Sequence, residues 1–594
     1  MVTLRRCVLI SLIVTSMTAT IGTSRSVMAS PDPQDQPRVK NVPPPRTPPG
    51  PQIVENEVVV KYKEEFFLSP QDALQNRREE LKKAGARLSK KFQAAVIAVY
   101  PELGILRLRL PSGVSMMNTI ESLKKSDPQI EYASPNYKIF PHAHAIPPPP
   151  QPNDQKWVDH FSNVYPPPYP NLALLWGLYK IGMKDAWGIR QGGTTIVAVL
   201  DTGIDYEHPD LWGNRWENMG ECCWNLNAIP HIPQVDGVDN DKNGYVDDFY
   251  GVNIIYEKAE KDRNGVPITS CIDVQQRDPM DYDGHGTVVA GTIAAYGNNY
   301  DPTDERTSFV GVSQTAKLMP IKIMCMWPPD KDHQDSYISG NLIDAVAGVR
   351  YAVRMGATVI NGSWGFEAPQ DPHSVMDLKK EIMAGKNVLY VASAGNDARS
   401  IDGASISMWP QKFGLDNEIV VAASNPLDGL WADSQTVGSN YGVKSVDIAA
   451  PGEEIWSTWP RFDSQGQSQP TVYSGSGTSS AAPHVAGCAA LLQAQRAATN
   501  PSSPFLPKDL KAVLMNNGDP VSGLKVFSGN RLNCYKALST QIPPARPPNL
   551  RISRLGDWFE RFWNLVRWPR PPGPYPPGPT LPSARPPASA GDGK

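Results

Sequence analysis

A serine lies in a bend of small residues just before an apolar helical pattern. The segment runs from Gly477 to Gly487 with Ser479 in the bend, and apolar residues continue to Leu492. The start of a helix carries unpaired N–H groups and partial positive charge, which suit an oxyanion. The segment therefore predicts a serine nucleophile, although an ordinary turn that opens a buried helix would have the same pattern.

Two polar residues upstream could activate that serine. Asp201 directly follows the apolar run 195–200, and His285 lies between two glycines before another helical pattern. Histidine titrates near neutrality and can take the serine proton, while a buried aspartate fixes the histidine tautomer. Alone, the aspartate could cap a turn and the histidine could be structural. In the order Asp, His, Ser, the three residues predict acyl transfer.

A fourth candidate is Asn396, which follows the apolar run 388–392 and comes directly after a glycine. Its amide N–H₂ group could donate hydrogen bonds to developing negative charge. The alternative is a turn asparagine without a chemical role.

The elements that must position these residues alternate between short apolar strands and helical patterns. We predict an α/β fold with a parallel central sheet and helices on both faces, because continuous apolar strands are buried on both sides. Ligands of such folds gather at the carboxyl ends of the strands. The strands are predicted at 195–200, 359–361, 388–392 and 419–423, and the helices at 287–296, 340–355, 372–386 and 481–498.

The three segments resemble the subtilisin-like serine peptidases, the subtilases. That family carries a D-[ST]-G, an H-G-T and a G-T-S-x-A-x-P-H motif, all present here in that order across about residues 171–540. The resemblance implies a subtilisin-like fold and a triad of Asp201, His285 and Ser479. It also implies that Asn396 and the backbone N–H of Ser479 form the oxyanion hole. Val288 departs from the family's H-G-T-H pattern, outside the triad.

The resemblance also implies where a substrate binds. The family pairs a substrate strand with an S-x-G segment, which corresponds to Ser363, Trp364 and Gly365 and lines the S1 and S4 pockets, although Trp364 could belong to the core. Met408 begins a segment that resembles the floor of S1, the pocket for the residue before the cleaved bond. We expect Met408 to make S1 shallow and apolar.

An acidic insertion separates the aspartate and histidine motifs. Acidic and amide oxygens alternate around a glycine at 236–248, which is typical of calcium loops, although Tyr250 replaces the glutamate of the EF-hand template. We predict a structural calcium site, with a solvated acidic turn as the alternative. The chemistry itself needs no cofactor. The candidate ligands are Asp239, Asp241, Asn243 and Asp247, and Asp210, which matches a calcium ligand of the family.

Residues 53–140 form a separate small α+β pattern that resembles a subtilase propeptide, especially at 131–137. Its first helix is predicted at 71–86, ending near Gly85, and its final strand at 130–133. The resemblance implies a module that helps the catalytic domain to fold and inhibits it until it is cut off. A permanent N-terminal domain is the alternative. We expect the cut between Tyr137 and Asn171.

Length, composition and termini complete the domain prediction. The chain has 594 residues and a net charge of −3, which gives no reason to expect a nucleic-acid partner. A basic start, a short apolar run and small residues predict a signal peptide and therefore a secreted or extracytoplasmic protein. The predicted segments are a signal peptide (1–29), a Pro-rich linker (30–52), the propeptide-like domain (53–140), a Pro-rich connector (141–170), the catalytic domain (171–540) and a Pro-rich tail (541–594).

Six cysteines remain after the signal, which permits disulfides in an exported chain. We expect Cys222 or Cys223 to pair with Cys271, and Cys488 to be a buried core residue. In the tail, residues 550–568 have aromatic and basic residues at helical spacing. This segment could lie on an anionic membrane surface, on the protein itself or on a partner.

The sequence thus predicts a secreted serine endopeptidase that is made as a proenzyme and acts on proteins or peptides. Its own propeptide would be an intramolecular inhibitor. Two alternatives remain: a maturation protease restricted to one partner, and a non-catalytic scaffold that uses the groove to capture peptides.

Overall fold

The computed structural model describes most of the chain between residues 50 and 540. The described residues are 50–67, 74–142, 144–145, 175–222, 235–255, 278–297, 309–327, 337–369, 373–460, 472–501 and 504–540. They belong to one compact unit, Met1–Thr540, and a second unit comprises Gln541–Lys594. The predicted signal peptide, the tail segment 550–568, Cys223 and Cys271 lie outside the described residues.

The N-terminal part is an antiparallel sheet covered by two helices. Its strands are β1 (Ile53–Tyr62), β2 (Ala95–Tyr100), β3 (Ile105–Arg109) and β4 (Ile130–Pro141), in the spatial order β4-β1-β3-β2. The helices are α1 (Leu74–Phe92) and α2 (Met116–Ser126). Apolar residues of both layers, among them Val58, Leu81 and Leu106, form a core of their own.

The predicted end of α1 near Gly85 is wrong, since the helix continues for seven more residues. A Cβ atom at Gly85 would lie 2.9 Å from Cγ2 of Val96 on β2. The glycine therefore permits a close helix–sheet contact in the middle of the helix. Its usual cost in a helix interior, about 1 kcal/mol, is offset by this packing.

The larger part is built on a nine-stranded sheet, which is parallel except for the antiparallel pair of strands at one edge, Asp519–Pro520 and Asn530–Arg531. This confirms the predicted α/β fold. In spatial order the strands are β19 (Asp519–Pro520), β20 (Asn530–Arg531), β16 (Ile448–Pro451), β15 (Glu418–Ser424), β13 (Leu389–Ser393), β11 (Val359–Gly362), β6 (Ile196–Asp201), β8 (Lys317–Lys322) and β7 (Val252–Asn253).

Two pairs of helices cover this sheet. Helices α5 (His285–Ala294) and α8 (Thr478–Thr499) contact each other and the central strands. Helices α6 (Leu342–Arg354) and α7 (His373–Ala384) contact each other and pack in one apolar core with Ala198 and Leu200 of β6. No helix within the described ranges is long and apolar enough to cross a membrane. The helices of this part are α3 (Trp176–Lys180), α4 (Met183–Ile189), α5 (His285–Ala294), α6 (Leu342–Arg354), α7 (His373–Ala384), α8 (Thr478–Thr499), α9 (Pro507–Asn516) and α10 (Cys534–Ser539).

Strand β4 is longer than the predicted strand at 130–133 and joins the two parts. Its first half pairs with β1, and its second half pairs with β10 and β12 of the larger part. The remaining short strands are β5 (His144–Ala145), β9 (Met324–Trp327), β10 (Tyr337–Asn341), β12 (Trp364–Glu367), β14 (Met408–Trp409), β17 (Ile455–Thr458) and β18 (Val472–Ser476).

Cys488 is more than a core residue, which corrects the sequence prediction. It forms a disulfide with Cys534, with their Cα atoms 5.7 Å apart, and both side chains are buried. The bond joins α8 to α10. Cys222 and Cys325 are also disulfide-bonded. Sequence spacing could not identify the 488–534 pair, because 46 residues separate its members.

Candidate functional site

Asp201 and His285 meet at the carboxyl edge of the central sheet. Asp201 is the last residue of β6 and His285 is the first residue of α5. The Nδ1 atom of His285 lies 2.6 Å from Oδ1 of Asp201, which also accepts the N–H of Thr202 at 2.7 Å. Both side chains are buried. The pair has the geometry in which a carboxylate orients an imidazole.

The loop before α5 is fastened by Asp281, a residue that the sequence analysis missed. One carboxylate oxygen accepts the N–H of Gly284 at 3.0 Å, and the other accepts the N–H and hydroxyl of Thr287 at 2.9 and 2.7 Å. Gly286 brings the helix against the neighbouring turn, because a Cβ atom there would lie 2.0 Å from the carbonyl oxygen of Gly203. These contacts fix the position of the imidazole.

The environment raises the pKa of His285 above its ordinary value of 6.5. Burial acts in the opposite direction, since it disfavours the charged ring. The charge and hydrogen bond of Asp201, together with the charges of Asp281 and Asp283, outweigh burial. The site therefore favours an imidazolium, the form that a general base becomes when it accepts a proton.

Ser479 is the second residue of α8, which begins three residues before the predicted start at 481 and so includes the predicted bend. Its hydroxyl donates to the carbonyl oxygen of Ser363 at 2.9 Å rather than to His285. The Nε2 atom of His285 is buried and has no hydrogen-bond partner within the described part of the chain. The structure thus brings Asp201 and His285 into contact but does not hydrogen-bond Ser479 to the imidazole.

Asn396 is held with its amide oxygen toward the start of α8. That oxygen accepts the N–H of Thr478 at 3.0 Å and the hydroxyl of Thr478 at 2.9 Å. The same hydroxyl accepts the N–H of Gly395 at 3.0 Å. With the oxygen engaged, the N–H₂ group is the part of the amide that can donate. Thr478 adjoins Ser479, yet nothing in the sequence pattern marks it as a positioning residue.

The backbone around Ser479 is already occupied by the end of β4. The strand enters between β10 and β12, with Ile139 opposite Gly340 and Phe140 opposite Gly365. The N–H of His142 donates to the carbonyl of Ser363 at 3.0 Å, and the N–H of Ser479 donates to the carbonyl of His142 at 2.9 Å. The chain's own segment therefore lies in the cleft as an antiparallel strand.

The His142 side chain fills a pocket beside that strand. It is 2% exposed, and its Nδ1 atom lies 2.7 Å from the hydroxyl oxygen of Ser393 at the end of β13. Gly365 forms one wall, because a Cβ atom there would lie 2.5 Å from Cε1 of the ring. Burial, together with the nearby His285, lowers the pKa of His142 to about 3, so the enclosed ring is neutral.

The other predicted substrate-binding residues have different surroundings. The backbone of Trp364 is opposite Pro141 of β4, while its side chain is fully buried in the large core. Met408 is also buried, with its sulfur 3.7 Å from Nδ2 of Asn440. The core alternative for the Trp364 side chain therefore has a structural basis.

The loop at 236–248 forms a cluster with a residue of the insertion that precedes the loop in the sequence. Ligand atoms of Glu221, Asp239 and Asp241 lie within 4.8 Å of one another. Glu221 uses Oε1 to accept the N–H groups of Asn240 and Asp241, whereas its buried Oε2 has no partner within the described ranges. Burial raises the pKa of Glu221 and of Asp239. An unpartnered buried carboxylate oxygen among other carboxylates fits a hard cation.

The remaining predicted calcium ligands have other contacts. The Asn243 side chain donates to Asp241 and Asp248 at 3.0 and 2.8 Å, and Asp247 accepts the N–H of Gly237 at 3.0 Å. Asp210 accepts the N–H of Phe309 at 3.1 Å. Neither Asp210 nor Asp247 belongs to the cluster among the described residues. No sequence signal could have found Glu221, since only folding brings it to the loop.

Two family models match the chain. Residues 192–533 match the model described as the subtilase family, and residues 40–136 match the fervidolysin N-terminal prodomain. The first match covers more than half of the chain and contains every residue of the proposed triad.

Individual proteins with similar sequences include named proteases. The chain is 30% identical over 334 residues to subtilisin-like protease 1 of Plasmodium berghei, covering 54% of this chain and 46% of that protein. It is 28% identical to thermitase of Thermoactinomyces vulgaris, covering 61% of this chain and 95% of thermitase. The chain thus spans about half the length of the Plasmodium relative.

The fold has solved counterparts. The crystal structure of fervidolysin from Fervidobacterium pennivorans, a keratinolytic enzyme related to subtilisin, has a TM-score of 0.54 at 22% identity, covering 86% of this chain and 65% of that one. The epidermin leader peptide processing serine protease of Staphylococcus aureus has a TM-score of 0.50 at 18% identity, covering 82% of this chain and 99% of that one. At these identities the similarity establishes the fold.

Proposed function

Because the chain belongs to the subtilase family, we propose that it is a serine endopeptidase that hydrolyses peptide bonds with Ser479 as its nucleophile. His285 takes the serine proton and Asp201 orients the imidazole. The backbone N–H of Ser479 and the side chain of Asn396 donate to the oxyanion.

One observation carries this proposal. The N–H of Ser479 donates to the carbonyl oxygen of His142, in the segment that lies antiparallel in the cleft. The N–H of His142 in turn donates to the carbonyl oxygen of Ser363. An oxyanion-hole donor must point at the carbonyl that is attacked, at about 2.7–3.1 Å. The distance of 2.9 Å meets this requirement. A peptide bound in this way presents its carbonyl to the start of α8.

The residues support a two-step acyl transfer. In the first step the Ser479 hydroxyl turns toward His285 Nε2, gives up its proton and attacks the carbonyl carbon, while Asn396 and the Ser479 N–H stabilise the oxyanion. His285 then protonates the leaving amine. In the second step His285 deprotonates a water molecule, which releases the acyl group and restores Ser479. The close contact between Asp201 and His285 stabilises the imidazolium in both steps.

Labelling with a fluorophosphonate tests the proposal. We expect the probe to modify Ser479 in processed protein, and Ser479→Ala to abolish modification. Ser480→Ala removes the adjacent hydroxyl, which donates to the Gly475 carbonyl, and should retain labelling. Absence of labelling at Ser479 would favour the scaffold alternative. Cleavage of casein would exclude a protease restricted to one partner.

We also propose that the chain is made as a proenzyme whose N-terminal module is its inhibitor. The match of residues 40–136 to a prodomain supports this proposal, as does the continuous strand β4, which blocks the cleft. Export of the protein is supported by the signal pattern at 1–29 and by the Cys488–Cys534 disulfide, because disulfides persist in oxidising compartments. Membrane contact through 550–568 remains a sequence prediction, which liposome co-sedimentation would test.

A structural calcium ion is the cofactor that we propose. Glu221, Asp239 and Asp241 would hold it, and the ion would fasten the insertion without taking part in the chemistry. In Ser479→Ala protein, which cannot digest itself, calcium at about a hundred times its Kd should add about 2.7 kcal/mol to the free energy of unfolding.

A chelator should therefore lower the melting temperature of this protein. Glu221→Gln should remove most of the chelator effect. The exposed residue Asp416 offers a charge-matched control, because Asp416→Asn should preserve the effect. An identical melting temperature with and without chelator would contradict the calcium site.

A further inference from the structure

His142 occupies the place of the residue that precedes a cleaved bond. Its carbonyl oxygen accepts the N–H of Ser479 at 2.9 Å, and its own N–H donates to the carbonyl oxygen of Ser363 at 3.0 Å. Just beyond it, β5 pairs with β18, with His144 opposite Ser476 and Ala145 opposite Gly475. The segment thus pairs with β12 before His142 and with β18 after it. This arrangement places the carbonyl group of His142 at Ser479.

The pocket around the imidazole is built for a ring with a hydrogen-bonding edge. Ser393 Oγ lies 2.7 Å from Nδ1. The Gln411 amide holds the pocket wall together by donating to the carbonyls of Ser393 and Trp364 at 2.7 and 3.1 Å. The missing side chain at Gly365 leaves space for the ring, since a Cβ atom would lie 2.5 Å from Cε1. The hydroxyl of Ser393 is therefore the group that distinguishes imidazole from an apolar ring of similar size.

The same pocket disfavours a positive charge. Nε2 of His142 is buried and has no hydrogen-bond partner within the described residues. Protonation would place an N–H and a charge there, next to His285. A lysine or arginine side chain would bring an ammonium or guanidinium group into the same enclosure, where an unpaired buried charge is strongly unfavourable.

We propose that Ser479 cleaves the chain's own His142–Ala143 bond and that the Ser393 hydroxyl selects a neutral histidine before the cleaved bond, both in this chain and in substrates. This inference rests on the proposed peptidase function and adds a substrate class to it: polypeptides with histidine followed by a small residue.

The reaction balances with water as the only added reactant. A bond forms between Ser479 Oγ and the His142 carbonyl carbon, and the bond from that carbon to the Ala143 nitrogen breaks. The serine proton passes through His285 to the Ala143 amine. Water then cleaves the ester, which leaves a carboxylate on His142 and a free hydroxyl on Ser479.

The first test is N-terminal sequencing and intact mass measurement of the purified full-length chain after it has processed itself. We expect a fragment that begins at Ala143, and Ser479→Ala protein should remain uncut at this bond. His142→Lys should slow cutting at this bond by about a hundredfold or more. His144→Phe replaces the other histidine of the segment, and its new N-terminus should still be Ala143. A wild-type N-terminus at another residue would overturn the proposed bond.

The second test separates the role of Ser393 from the position of the cut. The probe is the octapeptide Lys-Ile-Phe-Pro-His-Ala-His-Ala, which copies residues 138–145, and its analogue with phenylalanine at the fifth position. Processed wild-type enzyme should prefer the first peptide in kcat/KM. Ser393→Ala should lower this preference by about tenfold, which corresponds to the loss of one net hydrogen bond. An unchanged preference would overturn the role of Ser393.

The outcomes distinguish this inference from the proposed function. If a fluorophosphonate labels Ser479 but the N-terminus or the peptide preference differs, the enzyme proposal stands and the histidine proposal fails. If nothing is labelled and Ser479→Ala protein is cut as wild type is, the proposed function fails as well.

Discussion

A single carbonyl oxygen contacts both Ser479, the proposed nucleophile, and the segment that occupies the cleft. The oxygen of Ser363 accepts the Ser479 hydroxyl at 2.9 Å and the N–H of His142 at 3.0 Å. In the proposed mechanism the hydroxyl must leave this oxygen for Nε2 of His285, which is buried without a partner in the described part of the chain. The rotation gives Nε2 a partner, which offsets the cost of about 1–3 kcal/mol that an unpaired buried polar atom carries.

Loss of the Asn396 amide should reduce turnover rather than binding. We expect Asn396→Ala to lower kcat by about 10²–10³ with little change in KM, because the amide would act only on the oxyanion. Steady-state kinetics of processed enzyme would measure both parameters. Asn500→Ala removes an amide at the other end of α8 and serves as the control. A large rise in KM at constant kcat would contradict this role.

Activity should fall on the acid side at a pH above 6.5. The pKa of His285 is raised, and a protonated imidazole cannot take the serine proton, so the rate declines as pH falls through that pKa. The stability effect has the opposite sign: the contribution of the Asp201–His285 pair is complete below pH 6.5 and is lost as pH rises through the raised pKa.

The rate of fluorophosphonate labelling between pH 5 and 9 would check this prediction. Asp201→Asn removes the main charge that raises the pKa and should move the acid limb to lower pH. An acid limb that stays in place in this variant would contradict the assignment.

Secondary structure was predictable where a continuous apolar pattern alone identifies the element. The strand patterns at 359–361 and 388–392 lie within one residue of β11 and β13, because strands buried on both faces are continuously apolar. Sequence failed where a distant partner decides the outcome. Gly85 ends no helix because β2 packs against it, and β4 extends to Pro141 because β10 and β12 add pairing partners.

The candidate site was predictable to a similar degree. The motifs named Asp201, His285 and Ser479, since each lies at the end of a strand or the start of a helix. They could not name Ser393 or Glu221, whose environments arise only from contacts between distant segments.

The disulfide between α8 and α10 should contribute substantially to stability. Replacing both cysteines in Cys488→Ala/Cys534→Ala should lower the free energy of unfolding by about 4 kcal/mol, the loop-entropy value for a separation of 46 residues. Chemical unfolding in a Ser479→Ala background would measure it without self-digestion. The single variant Cys488→Ala also lacks the bond, so it should lose nearly as much stability as the double variant. A double variant as stable as the parent would contradict the prediction.

In the whole molecule, buried polar groups join the N-terminal part to the catalytic part. Lys61 pairs with Asp377 at 2.7 Å, and the Tyr100 hydroxyl donates to Asp344 at 2.5 Å. Arg107 pairs with Glu57 at 2.6 Å and lies 3.7 Å from Asp344. Burial alone would raise the pKa of Glu57, but the arginine charge outweighs it and the pKa is lowered. Acid therefore weakens the Glu57–Arg107 pair, which lies beside Asp344 of the catalytic part.

Release of the cut N-terminal part should also depend on His142. The pKa of His142 is near 6.5 when the segment is free and about 3 when it is docked. The neutral ring therefore contributes fully to docking above pH 6.5. As pH falls below that value, the affinity of the docked segment decreases by up to about tenfold per pH unit. Gel filtration of fully processed protein at pH 7, 6 and 5 would measure release. His142→Phe, once processed, should show a smaller change between pH 6.5 and 5, because it lacks the imidazole that gains a proton in this range. An identical change in both proteins would contradict the role of His142.

Strand β4 pairs with β1 of the N-terminal part and with β10 and β12 of the larger part, and this continuity determines the kinetics of inhibition. While the chain is intact, the blocking segment is tethered to its own cleft, and tethers of this kind give effective concentrations in the millimolar range regardless of dilution. Once the bond after His142 is cut, rebinding becomes bimolecular. A concentrated sample should then remain inhibited, while a dilute sample becomes active. The same molecule would therefore be inhibited where it is produced at high concentration and active where it is diluted.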